Sequence, residues 1–328
     1  MRTRQFALTF VFFGALSISA CGGSSSVDGL NSDPVNGATN GGTAGDNSAG
    51  IMPGDNVNGD DLSGVNLSTS DLSGVQATDL DACPEELPPG WQCLDLPDTG
   101  LTLIGPEADL SNQDLQDADL DGVILDNADL NDADLDGASL VDASLINADL
   151  SDADLEGADL TGAILTGADL SGADLSGADL TGVDLSTANL NEVEAINLDS
   201  CPTALPKDWH CINKTLVGPS ADLEGTDFSG QDFTGINLKG VDFKEADLSG
   251  ADFTGANLSD AKFEQADLQD AIFKDANLRD ANFKEADLAD ANMDGADTNS
   301  DTDFKDATFD NTTCPDGTNS DDNGGDCG

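Results

Sequence analysis

Residues 168–182 read ADLSGADLSGADLTG, three copies of one five-residue unit with leucine at its centre. The unit continues on both sides. Leucine occupies every fifth position across residues 110–190, and leucine or phenylalanine does so across residues 223–288, before Met293. A five-residue step fits neither the 3.6-residue period of an α-helix nor the two-residue period of a flat strand. The sequence therefore predicts a solenoid.

Each position of the unit has its own chemistry. The central Leu or Phe is large, and the residue two places before it is nearly always Ala, as Ala168 is before Leu170. We expect both side chains to point inward and fill a narrow core. Two places after the leucine, residues 110–190 use almost only Gly, Asp and Asn, which tolerate positive φ. That position is predicted to be a corner, and each unit one short side of a coil.

A twenty-residue superperiod predicts the number of sides. Blocks that start at Val241, Ala261 and Ala281 align with one another along their length. Twenty residues are four units, so we expect a four-sided coil in which like positions stack in columns along the axis. One such column alternates in charge and is expected to form ion pairs worth a few tenths of a kcal/mol each. Its members are Lys244, Glu264 and Lys284.

The unit resembles the A[DN]LxG motif of the pentapeptide-repeat family, and the resemblance covers residues 108–190 and 221–293. It implies an all-β fold, a right-handed quadrilateral parallel β-helix with four pentapeptides per coil. The two main arrays would be joined by a disulfide-containing segment. Some family members resemble DNA in charge and shape and inhibit gyrase, which gives one alternative function.

The motif CPxxLPxxWxC occurs twice, at residues 83–93 and 201–211. We expect the segments that carry it, residues 81–107 and 191–220, to be caps or junctions of the coil. Trp91 and Trp209 are interpreted as buried plugs, with binding anchors as the alternative. No spacing fits a zinc site, and paired cysteines in an oxidising compartment form disulfides. The expected pairs are Cys83 with Cys93, Cys201 with Cys211, and Cys314 with Cys327.

The N-terminus predicts export. Residues 1–20 have the basic start, apolar stretch and small residues of a signal peptide. Ile18 to Cys21 resembles the lipobox of bacterial lipoproteins, which implies that Cys21 is lipidated and held at an outer membrane or cell surface. Residues 21–59 are predicted to be a flexible Gly/Ser/Asn/Asp tether, and residues 60–80 a short repeat run.

The chain is strongly acidic. It has 65 acidic and 11 basic residues, a formal net charge of −54, and no Lys or Arg between Arg4 and Lys207. This excludes direct binding to nucleic-acid phosphates. Just before the central residue, Asp exchanges with Asn, which shares its hydrogen-bond acceptor, so much of the acidity is expected to serve turn geometry and solubility. Stacked carboxylates also repel, and divalent cations would relieve that repulsion.

Residues 294–328 are predicted to be an acidic, disulfide-closed tail. Asn319, Asp321 and Asn323 match the start of a calcium loop, and Asp316 and Asp326 add oxygens. The bidentate glutamate of an EF-hand is not among these residues. A calcium site and a flexible tail without metal therefore both stay open, and calcium is the one cofactor that the sequence suggests.

No residues form a convincing catalytic group. The one histidine, His210, stands where the other copy of the cysteine motif has Gln92. The sequence favours a non-catalytic, lipid-anchored protein with no small-molecule substrate, which presents a rigid acidic β-helical surface to a protein partner or to divalent cations. One alternative is a DNA-mimicking gyrase binder, which the export signal disfavours. Another is a calcium-dependent adhesion or matrix protein.

Overall fold

The computed structural model describes residues 50–325 and Cys327, which belong to one compact unit, Asp46–Gly328. The predicted signal peptide, Cys21, most of the predicted tether and Asp326 lie outside the described residues. The named elements are four strands and a short helix. They are β1 (Gln92–Leu96), β2 (Gly100–Ile104), β3 (His210–Ile212), β4 (Thr215–Val217) and a 3-10 helix, η1 (Ser320–Asn323).

The rest of the fold is a parallel β-helix built from single-residue bridges. Asp129 pairs in parallel with Asp149, and Asp149 with Asp169, each step being one turn of twenty residues. The Leu150 amide donates to the Asp169 carbonyl at 2.7 Å, and the Asp169 amide donates to the Ala148 carbonyl at 3.0 Å. The predicted β-helix with four pentapeptides per coil is therefore confirmed.

Burial and backbone angles follow the predicted roles of the repeat positions. Leu150 is 0% exposed and Ala148 is 1% exposed, and the same pair fills the core in almost every unit. The corner residues have positive φ, 58° at Asp152 and 71° at Gly172. Residues that tolerate this conformation are therefore required at the corners with positive φ.

The two arrays form one continuous ladder. Glu194 pairs in parallel with Asp174 on one side and with Asp222 on the other, across 28 residues instead of twenty. The Asp222 amide donates to the carbonyl of Val193 at 3.0 Å. The additional residues form the antiparallel hairpin β3–β4, and β1–β2 forms the corresponding hairpin in the earlier cysteine segment. The coil therefore resumes its register after each hairpin.

Each tryptophan packs at a boundary between core clusters. Trp91 contacts the cluster that includes Leu67 and the cluster that includes Leu110, whereas Trp209 contacts the latter cluster and the phenylalanine-rich one. Both rings are partly buried. A Cβ atom at Gly105 would overlap the Trp91 ring, and one at Gly218 would overlap Trp209. These glycines are therefore required for close packing of the rings, and both segments are junctions.

The glycines reveal that the duplication is longer than the cysteine motif. Residues 102–110 read TLIGPEADL and residues 215–223 read TLVGPSADL, so the hairpin's second strand and the glycine are repeated too. The sequence analysis did not detect the repeated strand and glycine, because it considered each motif only up to its second cysteine. Aligning the two segments beyond Cys93 and Cys211 would have found them.

The six described cysteines form the three pairs that their spacing predicts: Cys83–Cys93, Cys201–Cys211 and Cys314–Cys327. The first two bonds lie within the two junctions. The third lies in the C-terminal segment that carries η1.

The predicted ends of the repeats were wrong in two places. The ladder begins before residue 60, where Asn56 pairs with Gln76 and Val57 is buried. It also continues past Met293, because Asn282 pairs with Asp303 and Asn292 with Thr313, at a spacing of 21 residues. A single additional residue between Asp297 and Asp303 shifts the five-residue pattern there, although Phe309 still fills the core. The predicted tail thus begins with a further coil.

Candidate interaction surface

The Asp before each central residue serves the corner that follows it. Asp169 accepts hydrogen bonds from the Ser171 amide at 3.0 Å and from its hydroxyl at 2.6 Å. Asn257 accepts in the same way from the Ser259 amide at 3.3 Å. This shared bond explains why Asp and Asn exchange at the position.

Where hydroxyl groups surround such a carboxylate, its charged form is stabilised. Hydrogen bonds from the side chains of Ser200 and Thr181 and from the Thr181 amide lower the pKa of Asp179. Much of the acidity therefore supports local structure, as the sequence predicted.

On one side of the first array the carboxylates keep this hydrogen bond but also crowd one another. We call this side the acidic face. Asp114, Asp134, Asp154, Asp174 and Glu194 stack through parallel bridges, one per coil, at the ~4.8 Å spacing of paired strands. Asp136 and Glu156 form a second row beside them, at the position after the central leucine. The members of the face are Asp114, Asp134, Asp136, Asp154, Glu156, Asp174 and Glu194.

The pKa values of Asp154 and Glu156 reflect the crowding. Partial burial raises the pKa of Asp154, and repulsion by Asp174, Asp134 and Asp136 raises it further. Burial and the same kind of repulsion raise the pKa of Glu156. Polar neighbours offer little compensation: Gln116 donates to Asp136 at 2.8 Å, whereas the buried Ser176 hydroxyl has no hydrogen-bond partner.

Cations balance the carboxylates only in the later part of the chain. Across residues 50–325, every ion pair involves a Lys or Arg at or after Lys207. Lys262 contacts Asp242 at 2.8 Å, and Lys244 contacts Glu224 at 2.6 Å. None of these ion pairs includes Asp114, Asp134, Asp136, Asp154, Glu156 or Asp174 of the acidic face.

The predicted ion-pair column of Lys244, Glu264 and Lys284 does not form. Lys284 pairs with its neighbour Glu285 at 2.9 Å, and Asn282 donates to one oxygen of Glu264. The other Glu264 oxygen is buried without a hydrogen-bond partner. Each lysine therefore pairs with a carboxylate next to it in sequence or one coil earlier, and not with the stacked Glu264.

The residues of the candidate calcium loop are engaged in holding the C-terminal turn. Asp316 accepts from the Thr318 amide and hydroxyl at 2.9 and 2.6 Å. Asn319 caps η1 by accepting from the Asp321 amide at 2.9 Å, and Asp321 accepts from the Asn311 amide at 3.1 Å. Asn323 donates to Thr318 at 2.6 Å. The four described residues of the set therefore do not form a ligand shell, and the fifth, Asp326, lies outside the described residues.

Within the described part of the chain, no three or more His, Cys, Asp or Glu side chains are arranged to hold a metal ion. His210 is exposed on β3. Over the same residues, no helix has the length and apolar character needed to cross a membrane.

The fold and its surface define a class: a β-helical solenoid of five-residue repeats with an acidic exterior. A family model described as Pentapeptide repeats, with 8 copies, matches just over half of the chain. The chain belongs to the pentapeptide repeat family. The matched residues are 107–140, 128–167, 138–177, 153–191, 168–199, 221–260 and 261–297. Among curated proteins, none matches this sequence.

Solved structures of the family are similar in sequence over parts of the chain. HetL, a pentapeptide repeat protein involved in heterocyst differentiation regulation from the cyanobacterium Nostoc sp., is 27% identical over 84% of this chain and 94% of its own, with a TM-score of 0.27. A pentapeptide repeat protein from the Arabidopsis thaliana thylakoid lumen is 35% identical over 28% of this chain and 68% of its own, with a TM-score of 0.24. A trypsin-treated variant of QnrB1, a plasmid-mediated fluoroquinolone resistance protein, is 20% identical over 62% and 90%, with a TM-score of 0.29.

Proposed function

We propose that this protein is a non-catalytic binding scaffold, anchored by a lipid on Cys21 at the outer membrane or cell surface. The acidic face would bind a protein partner or divalent cations. The observation that carries the proposal is the stacked row of carboxylates, in which burial and repulsion by neighbouring carboxylates raise the pKa of Asp154 and of the adjacent Glu156. A basic group placed against this row would relieve the repulsion and gain electrostatic attraction in return.

The anchor is supported by the sequence of residues 1–21, a signal peptide that ends in a lipobox-like Ile18 to Cys21. Several acyl chains on one cysteine would give stable membrane attachment. Replacing Cys21→Ala should move the protein out of the membrane fraction and cause its precursor to accumulate. A membrane fraction unchanged by the substitution would rule out the lipid anchor.

Binding by the acidic face can be tested with charge-matched variants. Asp134→Asn with Asp154→Asn removes two charges from the face, and Asp232→Asn with Asp252→Asn removes two from the same repeat position in the second array. All four side chains accept a hydrogen bond from the amide two residues ahead, which Asn can also accept.

We expect the first pair of substitutions, and not the second, to weaken capture of envelope proteins by the full-length chain. Calorimetry with calcium chloride on the same variants separates the two kinds of ligand, because a cation site would show heat that only the first pair abolishes. Equal capture and equal heats for both pairs would refute the role of the face.

A further inference from the structure

A second surface on the first array breaks the acidic pattern with apolar side chains. Only three large hydrophobic residues are exposed in the described part of the chain: Met52 at 64%, Ile164 at 47% and Ile124 at 38%. Two of these three, Ile124 and Ile164, lie in one column, separated by Ser144. Ile146, two residues after Ser144, is half-buried on the same side of the coil. We call Ile124, Ile146 and Ile164 the isoleucine patch.

Ile124 lies close to Gly90 of the first junction and so has a packing role there, but that junction does not account for the exposed Ile164. The position before the central residue usually carries Asp, Asn or Ser, and Asp and Asn there accept a hydrogen bond from the amide two residues ahead. Isoleucine cannot accept that bond, and it also exposes apolar surface to water. Positions that depart from the repeat pattern without a gain in stability are candidates for function.

The surroundings of the patch hold it in a fixed arrangement. Asp126 accepts from the Ser144 hydroxyl at 2.5 Å and from the Ile146 amide at 3.2 Å, which ties two successive coils together beneath the isoleucines. Since paired strands are ~4.8 Å apart, Ile124 and Ile164 are separated by about 10 Å. The patch is thus small, preformed and rigid.

Acidic columns flank the patch on both sides. Asp119 and Asp159 lie in the column of the preceding side, and Asp129 and Asp149 lie in that of the following side. A second copy of this chain would bring a net charge of −54 against the same charge. The patch is also far smaller than the ~800 Å² that each partner buries in a stable protein interface. Both facts argue against self-association here.

We propose that the isoleucine patch binds one short protein segment with apolar side chains at alternate positions and lysine or arginine at its ends. The apolar side chains cover the three isoleucines, and the flanking cations face the aspartate columns. The inference goes beyond the proposed function of the acidic face, because the isoleucine patch lies two pentapeptides away, on the opposite side of the four-sided coil.

Two defined peptides test the proposal. One has isoleucine at alternate positions with lysines at both ends, and the other has serine in place of each isoleucine. Binding is measured by calorimetry to the full-length chain in phosphatidylcholine nanodiscs, with empty nanodiscs as the blank. The variant is Ile124→Ser with Ile164→Ser, which keeps the charge and copies Ser144 in the same column. The control is Ile272→Ser, at the same repeat position in the second array.

We expect the isoleucine peptide to bind the unmodified chain and to lose about tenfold in affinity with the patch variant, since that variant removes the apolar surface of two side chains that are 38% and 47% exposed. The control should bind like the unmodified chain, and the serine peptide should bind weakly and equally to all three. Equal binding of the isoleucine peptide to the patch variant would overturn the site. A dimer in sedimentation that the patch variant dissociates would also overturn it, in favour of self-association.

Other outcomes of the same measurements distinguish the proposed role of the acidic face from that of the isoleucine patch. If both peptides bind and only the Asp134→Asn with Asp154→Asn variant weakens them, the acidic surface acts alone and the isoleucine patch is refuted. If neither peptide binds at near-physiological ionic strength, both the patch and attraction of basic segments are refuted. Fluorescence of Trp91 and Trp209 on heating reports whether each variant keeps its junctions folded.

Discussion

The first and second arrays share one backbone but differ in core and surface. In residues 110–190 every central side chain is leucine, and no cation lies between Arg4 and Lys207. In the second array phenylalanines stack in columns, with ring centroids 4.9 Å apart for Phe233–Phe253 and 4.7 Å for Phe263–Phe283. The repeat therefore fixes the coil, while the choice of large side chain and of charge is left free for each array.

Their exterior columns differ in the same way. In the second array Asn257 donates to Asn237, and Asn277 donates to Asn257, each at 2.8 Å, which gives an uncharged amide ladder. The acidic face of the first array has carboxylates at the corresponding position of the unit. An amide both donates and accepts, so it bonds to the coil above and the coil below, whereas ionised carboxylates only accept. The amide column of the second array therefore stabilises its stack, whereas the acidic face of the first array is a repulsive one.

The largest expected effect tests the cores. Phe263→Ala should destabilise the second array by about 3–5 kcal/mol, because it removes a ring stacked on Phe243 and Phe283 and leaves a cavity. The matched change Leu150→Ala should cost about 2–4 kcal/mol in the first array. Urea unfolding followed by circular dichroism measures both. A smaller cost for Phe263 than for Leu150 would show that ring stacking adds nothing to this coil.

A second prediction tests how the junction couples the arrays. Replacing Cys201 and Cys211 with serine removes a bond that closes a loop with a sequence separation of 10 residues, and should cost about 2–3 kcal/mol. Because the bond lies at the junction, we expect hydrogen exchange to accelerate first around β3 and β4. The same replacement at Cys83 and Cys93 should act around β1 and β2 instead. Uniform acceleration along the chain in both variants would contradict a local role.

A third prediction exchanges the two exteriors. Asn257→Asp removes the donor to Asn237 and should destabilise the second array by about 1 kcal/mol. Asp154→Asn makes the reverse change in the first array, where it removes a repelled charge and should be neutral or stabilising. Thermal unfolding of the two variants gives the comparison. Destabilisation of similar size by both would mean that neither column has a preference of its own.

The smallest expected effect concerns pH. Burial and repulsion raise the pKa of Glu156 in the folded state, so its ionised form destabilises the fold at neutral pH. Glu156→Gln should therefore raise stability at pH 7 by less than about 0.5 kcal/mol, since the side chain is exposed and screened. The advantage of the Gln variant is expected to disappear as pH falls through the raised pKa, because protonated Glu156 is no longer repelled by its neighbours. Stability curves at pH 7 and pH 4 measure it, and an advantage that grows on acidification would reverse the sign of the argument.

Sequence reasoning predicted the periodic part of this molecule well. Burial and positive φ are required at fixed positions of the unit. The roles of Leu150, Ala148 and Gly172 can therefore be predicted from spacing alone. Features that depend on contacts between different coils were harder. The ring of Trp91 on Gly105 joins residues from the two ends of a junction, and the choice of Glu285 over Glu264 by Lys284 depends on side-chain reach.

The same distinction explains the missed ends and the missed patch. Asn56 and Asp303 belong to coils in which the five-residue pattern is incomplete, so hydrogen bonding defines them better than composition does. Ile124 and Ile164 are each unremarkable in a strand, where isoleucine is common. Only the twenty-residue stacking places them in one column.

The ladder that passes through Glu194 has a consequence for how such a chain can change length. The parallel ladder resumes after each hairpin. Whole coils can therefore be inserted or deleted next to a hairpin without disturbing either junction. Each such event would move everything beyond it by ~4.8 Å along the axis. It would also leave each outward column on its own side, since twenty residues complete one turn. Insertion or deletion of coils thus changes the length of the solenoid in equal steps, while each surface keeps its orientation about the axis.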